Sequence, residues 1–300
     1  MSDFNREDKY AIAKQDVAQA FSAAAKAYDE HAFLQREIAD RLMERLDLIK
    51  LEPKLIVDVG SGTGYCTRAL QTRYKKASVY GVDIAPGMVE YANKKRGWFA
   101  KEKYLCADAR QLPFEHQSVD LIFSSLALQW TDDIDNVFAE FQRVLKPEGL
   151  LLFSTFGPDT LKELRHAWST VDDRVHVNRF MDMHDVGDAL VRNFFADPVM
   201  DMEMLTLTYR DIMQLMRELK GIGANNRNAG RSHSLTTPKQ LRQMMSAYEQ
   251  AFRREDQTLP VSYEVVYGHA WGTELKARQT APQEFAMPVS QIPIRRAKPE

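Results

Sequence analysis

A chain of 300 residues and 34.5 kDa, 44% hydrophobic and 27% charged, can bury a sizeable core and is not an intrinsically disordered protein. Forty basic against 42 acidic side chains leave a net charge of -2, which excludes a nucleic-acid binder built on overall positive charge, and the two cysteines, Cys66 and Cys106, cannot form a disulfide framework or a four-cysteine zinc site. No apolar run reaches the ~20 residues of a membrane span and Met1 to Tyr10 lacks a signal-peptide core, so the expected location is the cytoplasm, with no membrane partner.

Residues 1–50 are predicted to form an N-terminal helical cap: the stretch from 10 to 50 has no Gly or Pro and repeats Leu34, Ile38, Leu42 and Leu46 along one face. From 54 to 156, short β-rich runs alternate with helical stretches. The predicted strands are 55–59, 78–83, 104–106, 119–123 and 150–154. A helix from Asp132 to Leu145 is expected after the fourth, with Thr131 as its N-cap and Lys146-Pro147-Glu148-Gly149 as its stop. This alternation means βαβ units, an α/β chain with a mostly parallel sheet covered by helices on both faces. Residues 157–209 carry one predicted helix (183–194) and one strand (202–209). Two helical stretches within about 210–255 flank a Gly- and Asn-containing loop at 221–230, a strand is expected at 261–267, and the Pro-rich stretch 274–300 reads as a flexible tail. The domain built on this sheet would thus occupy 51–273, with its core at 54–156.

The main site signal is Asp58-Val59-Gly60-Ser61-Gly62-Thr63-Gly64, which follows the first strand and opens a helix. An open α/β sheet places its ligand at that point. The residue after Gly64 is Tyr65, so a dinucleotide fingerprint is out of register, and there is no Gly-Lys-Ser/Thr of a P-loop. Asp58 beside the glycines disfavours a pyrophosphate and suits a ligand with an ammonium near its carboxylate, such as the methionine end of S-adenosylmethionine. Asp83, about 20 residues on at the end of the second strand, is placed to accept ribose hydroxyls. Asp108, in Ala107-Asp108-Ala109 after the third, is placed to accept the adenine amine.

These residues, with Asp83-Ile84-Ala85-Pro86-Gly87-Met88 and Leu112-Pro113-Phe114, resemble the class I S-adenosylmethionine-dependent methyltransferases. The resemblance implies a Rossmann-like seven-stranded sheet with a helical lid on the substrate side. It assigns the methyl donor, which leaves as S-adenosylhomocysteine, to Asp58, Gly60, Ser61, Gly62, Gly64, Asp83, Ile84, Met88, Asp108, Ala109 and Ser124, with Tyr28 closing over it. Tyr28-Asp29-Glu30-His31, Leu126-Ala127-Leu128-Gln129-Trp130, Val177-Asn178-Arg179-Phe180 and Leu219-Lys220-Gly221-Ile222-Gly223-Ala224 resemble more narrowly the malonyl-acyl-carrier-protein O-methyltransferases of biotin synthesis. Phe156-Gly157-Pro158-Asp159-Thr160-Leu161 is also similar to a related branch of assembly factors linked to respiratory complexes and arginine hydroxylation. A small free polycarboxylic acid would satisfy the same chemistry.

Methyl transfer to a carboxylate requires no general base, because the nucleophile is already ionised near neutral pH. It requires alignment in a dry site and a cation for the second oxygen. By family match the clamp candidates are Arg231 and Arg179. Trp130 reads as packing, and nothing in the histidine spacing suggests a metal. Residues 205–254 carry nine Lys/Arg against Asp211, Glu218 and Glu249, a local charge of 9 − 3 = +6. That surface would steer an acidic partner, and acyl carrier proteins are acidic. The segment has no platform of interleaved aromatics for a nucleic acid.

Overall fold

The computed structural model describes residues 13–224, 226, 228 and 236–274. The chain order is α1 (Lys14–Ala24), α2 (Tyr28–His31), α3 (Phe33–Glu44), β1 (Leu55–Val59), α4 (Tyr65–Arg73), β2 (Ser78–Asp83), α5 (Pro86–Lys95), β3 (Lys103–Cys106) and β4 (Val119–Ser125). There follow α6 (Ile134–Val144), β5 (Leu145–Phe156), α7 (Lys162–Ser169), α8 (Met183–Arg192), β6 (Ala196–Tyr209), α9 (Ile212–Gly221), α10 (Pro238–Phe252) and β7 (Leu259–Trp271). The seven strands lie in the order β3-β2-β1-β4-β5-β7-β6, and only β7 runs antiparallel to its neighbours. This is the Rossmann-like sheet of the class I methyltransferases.

The strands read as continuous apolar runs because both faces are buried. Side chains alternate between two cores: Ile56, Leu121, Phe123, Leu150 and Leu152 pack with α3, α4, α7, α9 and α10 residues. Val57, Ile122, Leu151 and Phe153 pack on the other face with Phe138 and Phe141 of α6 and Val186 and Leu190 of α8.

Several boundaries differ from the sequence reading. The N-terminal stretch is three helices. No local breaker divides them; α1 packs on α5 whereas α3 packs on β4 and β5, so the break is tertiary. Helix α6 starts at Ile134, capped by Asp133, whose carboxylate accepts from the Asn136 N–H at 3.0 Å; Thr131 instead accepts from the Asp133 N–H at 3.2 Å. Lys146 to Gly149 ends α6 but continues as an irregular start to β5, with Glu148 at φ 60° and its N–H donating to the Gly272 carbonyl at 2.9 Å. Strand β6 begins at Ala196, not 202: Pro198 sits at the register shift between Ala196 and Val199 on this edge strand, where a missing N–H costs nothing. Helix α7 was not expected, because Gly157 and Pro158 precede it and it starts without a side-chain cap after Leu161 at φ 58°. The proposed tail lies outside the described residues.

Candidate active site

The turn after β1 forms for steric reasons. Gly60, Gly62 and Gly64 have φ of 77°, 52° and 84°, a region that costs other L-residues about 1–2 kcal/mol. A Cβ on Gly60 would strike the Ala127 side chain and one on Gly64 the Tyr104 phenol, so neither space exists. A Cβ on Gly62 would meet nothing within 4 Å, because that side opens on a cavity.

The cavity lies at the carboxyl ends of β1, β2 and β4. Tyr28, Gly60, Gly62, Asp83, Ile84, Met88, Asp108 and Ala109 line it, eight of the twelve residues assigned to the methyl donor from sequence. Asp83 is buried at the end of β2 and accepts from the Gly62 N–H and the Ala85 N–H, both at 2.8 Å. Burial raises its carboxyl above the ordinary value, against the pull of those two N–H groups. An ionised carboxylate offers about four lone-pair sites, so two remain for ligand hydroxyls. Asp108 is gripped by Lys14 Nζ at 2.6 Å and by Arg110 at 3.0 Å; partial burial raises its carboxyl, but these cations outweigh it and hold it at about 2.

The other four residues assigned from sequence do not line this cavity. Asp58 is buried beneath the turn and accepts from the Thr67 hydroxyl at 2.6 Å, and it does not line the cavity. Burial pushes its carboxyl up to about 7, with the Asp83 charge adding to the rise and Thr67 opposing it. Ser61 turns its hydroxyl toward Gly81 and has no hydrogen-bond partner for it among the described residues. Gly64 serves as the left-handed N-cap of α4. Ser124 is buried and donates to the Val59 carbonyl at 2.9 Å, tying β4 to β1; strand alternation puts Ser125 at the cavity instead.

Sequence reasoning missed how far α1 closes this site. Lys14, Val17 and Phe21 line the cavity, and Gly87 N–H donates to Ser22 Oγ at 3.1 Å. The amphipathic pattern marked α1 as packed, but nothing in it said against what. Trp130, read as packing, also borders the cavity and meets the Phe21 ring edge-on with centroids 5.1 Å apart.

A second, larger cavity of about 300 Å³ adjoins the first. The two share Phe21, Tyr28, Leu126 and Trp130 as a common wall. Leu126 stands there at φ 51°, a strained position held by its N–H to the Ser154 carbonyl at 3.0 Å. Most of the larger cavity is apolar, lined by Phe156 at the end of β5, Leu161, Trp168 of α7 and Phe180, and by Met216 and Leu219 of α9 with Ile222 just beyond it. Helix α10 takes no part in the lining and packs on α7 and β7. Arg179, a clamp candidate, is exposed and lines an outer groove, not this cavity; its neighbour Asn178 faces in. Arg231 lies outside the described residues. Among those residues no cluster of three His, Cys, Asp or Glu could hold a metal ion, and no helix is long and apolar enough to cross a membrane.

Residues 57–153 match the family model described as a methyltransferase domain. Over 268 residues the chain is 47% identical to the malonyl-acyl-carrier-protein O-methyltransferase of Halorhodospira halophila, covering 89% of this chain and 91% of that one. It is 48% identical over 270 residues to the protein of the same name from Gallionella capsiferriformans, covering 88% and 92%. In fold it is similar to the YcgJ protein of Bacillus subtilis, with a TM-score of 0.56 at 16% identity, over 78% of this chain and 98% of that one.

Proposed function

The chain belongs to the malonyl-acyl-carrier-protein O-methyltransferases, and on that premise we propose how its cavities divide the work. It is an S-adenosylmethionine-dependent enzyme that methylates the free carboxylate of a malonyl group carried on acyl carrier protein, the malonyl methyl ester being the primer of biotin synthesis. The observation that carries our reading is the shared wall: a cavity lined by Gly62 and the carboxylates of Asp83 and Asp108 meets one with no carboxylate among its described lining residues, across Phe21, Tyr28, Leu126 and Trp130.

S-adenosylmethionine supplies an electrophilic methyl on its sulfonium. The residues of the chain bind, orient and exclude water. Gly62 leaves room for close backbone approach, Asp83 takes the ribose hydroxyls on its two remaining lone-pair sites, and Met88 and Ile84 cover the adenine's apolar faces. Asp108, already shared by Lys14 and Arg110, fixes the outer rim of the adenine. Tyr28 and Trp130 close the junction against water, which would otherwise solvate the carboxylate nucleophile. No side chain is needed to remove a proton, so the barrier falls through alignment of two bound reactants.

The carrier protein docks, in our reading, on the exposed cations around α9 and α10. Arg210, Arg217, Lys220, Lys239, Arg242, Arg253 and Arg254 are all exposed, and α9 is also part of the roof of the larger cavity. Methyl transfer from labelled S-adenosylmethionine, offered malonyl-carrier protein, malonyl-CoA and free malonate in parallel, tests the whole. Label on the malonyl thioesters, fastest on the carrier protein, is expected. Donor binding with no transfer to any of the three would overturn the reading in favour of an assembly role, and equal use of free malonate would remove the case for docking.

A further inference from the structure

We propose that His176 receives the malonyl carboxylate in the larger cavity, donating to the oxygen that is not methylated. The inference rests on methyl transfer to a malonyl thioester. A carboxylate taken into an apolar cavity needs a charge-assisted donor, since burying it unpaired costs several kcal/mol. The described residues lining this cavity include no Lys, Arg, Asp or Glu. Among its amides, Gln129 donates to the Leu126 carbonyl at 2.8 Å, Asn226 donates to the Val175 carbonyl and Asn178 accepts from Asn228 at 2.9 Å, while Gln35, also in the lining, is neutral and cannot match the charge of a carboxylate. The Thr160 hydroxyl donates to the Glu264 carbonyl at 3.1 Å. Histidine is the one described lining residue that can carry a positive charge.

His176 is held on two sides. Its ring lies flat on the Trp168 indole, centroids 3.9 Å apart and planes 5° from parallel, and its Nε2 is 2.7 Å from Asp172 Oδ1. Asp172 is in turn oriented by the Arg174 N–H at 3.0 Å and by Gln240 Nε2 at 3.4 Å. Partial burial raises the Asp172 carboxyl, but hydrogen bonds from His176 and the Arg174 N–H outweigh it and leave it below the usual range, so Asp172 is the anion and Nε2–H the donor. That fixes the tautomer and leaves Nδ1, to which no described residue hydrogen-bonds, for a ligand. With a carboxylate bound, the imidazolium donates from both nitrogens, to Asp172 on one side and to the substrate on the other. Its charge also lies over the face of an indole, the aromatic ring best suited to a cation. His176 lines the same cavity as the shared wall of Phe21, Tyr28, Leu126 and Trp130.

The arrangement separates recognition of charge from packing, and the test uses that separation. His176→Phe keeps a flat ring on Trp168 and loses both nitrogens; His176→Gln keeps polarity and loses the charge. In the full chain, both should raise KM for malonyl-CoA and malonyl-carrier protein about ten-fold or more and leave the Kd of S-adenosylmethionine unchanged. The malonyl methyl ester thioester, which lacks the carboxylate, should inhibit wild type and both variants with the same constant. Unchanged KM in both variants, or equal weakening of the neutral ester, overturns the assignment to His176. A wild-type protein that methylates no malonyl thioester overturns the reaction itself, and with it this role.

Discussion

Asp83→Ala tests the donor site where its geometry is most explicit. Two of the four lone-pair sites of Asp83 are occupied, by Gly62 N–H and Ala85 N–H, each at 2.8 Å, and two face the cavity. Hydrogen bonds to a charged acceptor contribute about 1.5–3 kcal/mol each. Losing two therefore weakens binding by at least about 3 kcal/mol, or ~100-fold in Kd. The same substitution strands the two backbone donors, one of them at the N-cap of α5, at about 1–3 kcal/mol each when buried. Folding and binding must accordingly be read apart. Calorimetric titration with S-adenosylmethionine gives the Kd, and thermal melting with and without the donor gives the rest. Asp83→Asn keeps one neutral acceptor and should fall between, about ten-fold weaker than wild type. A Kd for Asp83→Ala within threefold of wild type, in protein that melts cooperatively, would refute the assignment of the ribose to this carboxylate.

Three further outcomes are expected. The Asp58 carboxyl has its pKa raised from 3.8 to about 7 by burial, so the folded state retains a proton that the unfolded state loses between about pH 4 and pH 7. Stability of the donor-free protein should fall across that window and level off above it, whereas Asp58→Asn should flatten this contribution; parallel pH–stability curves for the two proteins would contradict the burial argument. Gly62→Ala should cost about 1 kcal/mol of stability for its φ of 52° and mainly weaken donor binding, whereas Gly60→Ala should mainly lower Tm, because its methyl would meet Ala127. Melting and titration of both variants check this. The pair Arg242→Glu and Arg254→Glu should raise KM for malonyl-carrier protein about ten-fold at low salt and less at high salt, with KM for malonyl-CoA unchanged; equal effects on both substrates would move the docking surface elsewhere.

What could be read in the sequence follows from how local its cause is. The glycine turn was legible because its φ values are a backbone requirement that only one residue type meets cheaply, and Asp83 and Asp108 because strand ends in a parallel sheet converge on one edge. Asp58, Ser61 and Ser124 sit among those same motif residues but face inward, and the motif alone does not say which way a side chain turns. Thr131 and Asp133 were both acceptable caps, and only the register of the buried face of α6 selects the second. Pro198 hid the first half of β6, since tolerance of proline depends on a sheet edge that no local pattern announces. His176 lay further still from view. It is significant only because Trp168, eight residues earlier on an unexpected helix, lies flat beneath it, and because Gln240, on the far side of the α9–α10 connection, steadies its Asp172 partner. Such a site is assembled from three segments with no shared period. The family resemblance placed the reaction on this chain, but the one described lining residue able to carry a positive charge becomes visible only once the cavity is assembled.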